Sequence, residues 1–182
     1  MAALDKIFEA IVKEAAISLT ELFDKSFETK SFNGKAWTKR KFNRRGSLLM
    51  NSGALRRSIK YNINGNKITW TSDLPYAAIH NAGGKIKITP KMKRFFWAKY
   101  NEYNKKVKKG KKGQVLRSEA NENNYDEAQF WKAMALRRVG TFIKIPQRQF
   151  IGESPDVKQR IEKITNKYVN KLLETMAKRQ TH

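Results

Sequence analysis

Leu4, Ile7, Phe8, Ile11, Ala15, Leu19, Leu22 and Phe23 recur at three- and four-residue steps. Such spacing lays one apolar stripe along a helix, predicted over residues 2–27. Further on the period changes to two: Ile59, Tyr61 and Ile63 alternate with polar residues, as do Ile68 and Trp70 across a turn at Asn64, Gly65 and Asn66. That pattern predicts an antiparallel hairpin buried on one face, preceded by a short turn that Ser52 caps. A brief helix over 76–82 follows Pro75 and ends at Gly83 and Gly84, after which Ile86 and Ile88 mark another half-buried strand. Thr89 then Pro90, a cap followed by a proline, start a helix striped by Met92, Phe95, Phe96, Tyr100 and Tyr103 and widened by Trp97. A returning helix over 125–138 turns Phe130, Trp131 and Met134 inward. Phe142, Ile143 and Ile145 form a strand stopped by Pro146. Ser154, Pro155 and Asp156 open a last helix, carried to about residue 177 by Val157, Ile161, Ile164, Tyr168 and Leu172. The expected fold is α+β: a small antiparallel sheet packed with long N- and C-terminal helices, plus an inserted basic helical hairpin over 91–138. At 182 residues the chain fits a single domain, 1–182.

Charge adds what periodicity leaves out. The formal net charge is +23, an excess that favours polyanions as neighbours. It gathers in two stretches. Residues 28–47 read as a basic loop or arm, with Lys39, Arg40, Lys41, Arg44 and Arg45 as candidate polyanion contacts and Trp37 and Phe42 interleaved. In the hairpin, residues 91–112 hold ten basic side chains against one acid, Glu102. Residues 105–113 there read as an exposed tip with nothing to order it, and Lys105, Lys106, Lys108, Lys109, Lys111 and Lys112 are the other candidate contacts. The chain has no cysteine, which removes disulfides and thiolate chemistry. The N-terminal stretch is amphipathic and acid-bearing, unlike a secretion signal, and no apolar run approaches the ~20 residues that span a bilayer.

Chemistry is sparse. His80 and His182 are the only histidines, and no Asp/Glu cluster completes a ligand set around either. No serine sits in a nucleophile-elbow pattern. The stretch from Asn81 to Ile86, "NAGGKI", lacks both the spacing and the preceding strand of a phosphate loop. The chain reads as a non-enzyme without cofactors, and His80 as a packed or hydrogen-bonding residue.

Three short patterns stand in order: Leu49, Ser52, Gly53, Leu55 and Ser58; Tyr76, Ala77, His80, Gly83 and Gly84; Pro146, Arg148, Phe150, Ile151 and Gly152. With the helix opened by Ser154 and Pro155, and Trp37 upstream in "FNGKAW", that order resembles the phage virion morphogenesis family, the tail-completion proteins of Mu-like and related tailed phages. The resemblance covers about residue 33 to the C-terminus, and the hairpin over 91–138 falls between its second and third patterns. It implies a structural virion protein that completes the tail or joins tail to head, as an oligomeric ring subunit. Its partners would be other head-neck or tail proteins, with non-specific DNA contact and no membrane, in the virion and in host cytoplasm during assembly. It also implies that the matched residues are structural. The alternative is a stand-alone basic nucleic-acid-binding protein, for which charge and aromatics are the whole case.

Overall fold

A computed structural model describes residues 2–40 and 47–180. The chain forms α1 (Ala2–Thr29), a hairpin of β1 (Ser31–Phe32) and β2 (Lys35–Ala36), the single turn α2 (Ala54–Arg57), and a hairpin of β3 (Lys60–Asn64) and β4 (Lys67–Thr71). Then come α3 (Ala77–Ala82), β5 (Gly84–Lys87), α4 (Pro90–Lys106), α5 (Glu119–Ala135), β6 (Phe142–Ile145) and α6 (Pro155–Gln180). The fold is α+β. Its described strands pair antiparallel as three two-stranded ribbons, β1 with β2, β3 with β4, and β5 with β6. Two compact units result: one from residues up to 37, 52–82 and 148 onward, the other from 38–51 and 83–147.

In the first unit the α1 stripe meets its partners where the helical period places them. Leu19 and Phe23 are buried with Phe32 and Val157, and Leu22, Trp70 and Ile151 close the cluster. Pairing Tyr61 with Trp70 and Ile63 with Ile68 puts the apolar residues of the β3–β4 ribbon on one face. Trp70 meets Phe23 edge-on at 5.2 Å, and its indole N–H donates to Thr20 Oγ1 at 2.9 Å. α6 runs antiparallel to α1: Arg160 donates to the Ser18 carbonyl and hydroxyl, while Lys167 and Tyr168 both donate to Glu14. Ser154 caps α6 by accepting from the Val157 N–H at 3.2 Å, the role its place before Pro155 predicts.

The first part of the basic 28–47 stretch is built into this unit rather than left as an arm. α1 continues to Thr29, and a two-residue turn at Asn33 and Gly34 closes β1 on β2. Both turn residues have positive φ, +49° and +72°, as the Asn-Gly type I′ hairpin turn requires. Trp37 is then buried, and its backbone N–H donates to Lys30 O at 2.7 Å. Lys41, Phe42, Arg44 and Arg45 lie outside the described residues.

The second unit is built on the α4–α5 hairpin. Ile88, Phe96 and Ala135 are buried together, with Met92, Trp131, Met134 and Ile143 around them. Thr89 Oγ1 caps α4 by accepting from the Met92 N–H. α5 begins at Glu119, earlier than its aromatic period indicates, because Ser118 caps it and Glu119 and Glu122 occupy its positive first turn.

The basic tip also departs from expectation. Asn121 is buried beneath it, accepting from the Lys108 N–H at 2.7 Å and donating to Lys108 O at 2.9 Å and Leu116 O at 2.6 Å. Leu116 N–H donates to Lys108 O, and Gly110 N–H to Gln114 O. The lysines therefore stand on a closed loop, not on a loose end. A side-chain amide supplies the bonds that a run of like charge cannot.

Candidate functional site

The second and third patterns meet at the end of α3. Arg148 N–H donates to His80 O at 2.8 Å. One residue further along α3, Asn81 Oδ1 accepts from the N–H groups of Phe150 at 2.8 Å and Ile151 at 3.0 Å, while its amide nitrogen donates to Ile151 O at 3.0 Å. One asparagine thus fixes the P-x-R-x-F-I segment against the helix, using the side chain as a short stretch of mock backbone.

So held, Phe150 enters the core. It is 1% exposed and lies 5.0 Å from Phe27, ring centre to ring centre. Phe27 in turn meets Trp37 edge-on at 5.6 Å, and the Trp37 indole N–H donates to Gln149 O at 2.6 Å. Three separated pieces of sequence close on one aromatic cluster, tied by the Trp37 and Asn81 hydrogen bonds.

The remaining pattern residues serve turns and packing. Leu55 is buried. Ser58 Oγ donates to Leu55 O at 2.8 Å and lies 2.7 Å from Ser72 Oγ, tying the end of α2 to the residues after β4. Ser52 is exposed, its Oγ accepting weakly from the Ala54 N–H at 3.3 Å, and Gly53 takes the cap position before α2. Leu49 is half-buried in a turn between Ser47 and Met50 of the second unit. Tyr76 is exposed and meets the His80 ring edge-on at 6.0 Å. Arg148 is buried, Pro146 half-buried, and Gly152 leads to the Ser154 cap.

Burial alters the titration of His80. Its Nδ1 is buried without a hydrogen-bond partner among the described residues. Desolvation, and then the Arg148 guanidinium, hold the imidazole below its ordinary range. Below about pH 6.5 the unfolded chain takes up a proton that the folded chain resists, so stability is lost as pH falls. Denaturant midpoints measured between about pH 7 and 5.5 are expected to decline in the parent protein and to decline less in His80→Gln. Equal slopes in the two proteins would remove His80 from this role.

The candidate polyanion contacts divide. Arg40 donates to Ser47 O at 2.7 Å and Lys39 is exposed. Lys106 is committed to Glu102 at 3.0 Å and lies over the Tyr103 ring. Hydrogen bonds from Lys99 and Lys106 keep the Glu102 carboxyl below the usual carboxylate range. Lys105, Lys108, Lys109, Lys111 and Lys112 are exposed.

Asn81 and Asn121, the two amides that organise these regions, carried no signal that marked them out; their partners lie up to 70 residues away. Among the described residues no three His, Cys, Asp or Glu side chains form a metal-binding group, and no helix is long and apolar enough to cross a membrane.

These contacts define a small α+β scaffold whose sequence patterns are folding joints. The phage virion morphogenesis family matches residues 24–170, most of the chain. The chain belongs to that family, and its role is structural or in assembly of a phage particle. Neither a curated protein nor a solved structure matches it.

Proposed function

We propose that the chain completes the phage tail or joins tail to head, acting as one subunit of an oligomeric ring among other head-neck or tail proteins. It performs no catalytic step in this role. The observation that carries the reading lies on the α1–α6 pair. Beyond the Glu14–Lys167 bridge both helices continue, yet Leu4 (59% exposed), Phe8 (52%), Leu173 (58%) and Met176 (53%) remain uncovered at the same end. Leu4 and Phe8 belong to the stripe that is buried further along α1, so the seam outlasts its own fold. Apolar surface of this kind marks an interaction site.

The test has two arms. Sedimentation of the purified protein over a range of concentrations is expected to show self-association that Phe8→Asp with Leu173→Asp abolishes while helix content is kept. Phage particles lacking the gene are expected, by electron microscopy, to show unjoined heads and unfinished tails that wild type rescues and the double variant does not. Normal particles without the protein, with sequence-selective nucleic-acid binding by the purified chain, would establish the stand-alone binding protein instead.

A further inference from the structure

We propose that the loop of residues 107–117 is a preformed cationic finger that grips the phosphate backbone of duplex DNA without reading its sequence, and that Asn121 holds it in the gripping shape. Lys108, Lys109, Lys111 and Lys112 are exposed on this loop, and no acid occurs between Glu102 and Glu119 to neutralise them. The loop is short and closed. Lys108 is bonded through both backbone groups to the buried Asn121 side chain, and Leu116 N–H returns to Lys108 O. Ordering that like charge opposes is thus completed before any ligand arrives, so less affinity is lost in fixing the loop on binding.

The composition selects the ligand. Cores of protein–protein interfaces are depleted in lysine and anchored by buried aromatics, but here Val107 and Val115 are half-buried and Leu116 is the one exposed apolar residue of the loop. A phosphate backbone needs no such anchor, because affinity comes from counterion release. Four of the loop's five cations are lysines, point charges that lack the forked geometry by which arginine reads guanine, and Arg117 stands alone beside the α5 cap, so phosphate contact dominates over base readout. This holds whether or not the chain sits in a head–tail joint.

The full chain would be titrated into a fluorescently labelled duplex of arbitrary sequence at several salt concentrations. Binding is expected at roughly 10⁻⁴–10⁻⁶ M near physiological salt. Changing Lys108, Lys109, Lys111 and Lys112 to glutamine should make the slope of log K against log salt shallower by about 3–4, at ~0.9 per phosphate contact. Asn121→Ala, which keeps every charge, is expected to weaken binding several-fold and to speed tryptic cleavage within the loop. Asn121→Asp, which keeps the Oδ1 acceptor for the Lys108 N–H and loses the two amide donors, should fall between and guards against loss of α5 in the alanine variant. An unchanged salt slope in the quadruple variant overturns the finger. So does binding to anionic vesicles or polyglutamate in place of DNA, and a strong preference for one duplex sequence overturns the backbone contact. Unaltered affinity in both Asn121 variants overturns the positioning role.

Discussion

Phe150→Ala is expected to destabilise the first unit by about 3–5 kcal/mol, the range for truncating a buried phenylalanine. The ring is almost wholly buried against Phe27, which itself meets Trp37 edge-on, so removing it opens space beside a linked aromatic pair. Those neighbours cannot collapse freely into the gap. Asn81 pins the backbone of residue 150, and Trp37 is tied to Gln149 O. A cavity that its walls cannot fill keeps its full cost. Chemical denaturation followed by tryptophan fluorescence and by far-ultraviolet circular dichroism measures the loss, and Phe150→Leu should recover much of it. A midpoint equal to the parent's would mean that the P-x-R-x-F segment does not anchor the core.

Gly83→Val is expected to be comparably severe, for a reason of backbone rather than burial. Gly83 has a φ of +73°, and a Cβ there would lie 2.8 Å from Gln147 N and 3.1 Å from Gln147 Cα. Left-handed backbone costs a non-glycine residue about 1–3 kcal/mol, and a backbone neighbour cannot rotate aside as a side chain can. Gly34 supplies the control: its φ is +72°, but the space around it is open. Gly34→Ala carries strain alone, whereas Gly83→Ala carries strain and collision. Melting temperatures should separate the two, at about 2–4 °C per kcal/mol for a chain of this size. Equal losses at the two sites would show that Gln147 yields, and would leave only the backbone term.

The parts legible in the sequence were those specified locally. Thr89-Pro90 and Ser154-Pro155 mark helix starts because cap and proline act within one turn, and the β3–β4 ribbon is visible because its alternation is uninterrupted. Asn33-Gly34 is equally local, an Asn-Gly pair in a two-residue turn, but the basic charge around it masks the hairpin. The start of α5 is hidden because its first turn, residues 119–122, holds only Ala120 among polar residues and so has no apolar period to count. The order of the tip is hidden for a deeper reason. Charge density argues against order only when nothing else supplies bonds, and Asn121 supplies three from the far side of the loop. Nor could periodicity show that Asn81 meets Phe150 and Ile151. Amides that substitute for backbone leave no repeating trace.

The ribbon of β5 and β6 has one more implication. Gly84 pairs with Ile145 and Lys87 with Phe142, so the segment carrying α4 and α5 departs and returns side by side. A segment with adjoining ends behaves as an interchangeable cartridge. Lengthening it alters closure entropy by only about 0.6 kcal/mol per doubling, and the register at its base does not change. Recombination or drift can therefore trade one hairpin for a longer, shorter or differently charged one while the rest of the chain is inherited intact.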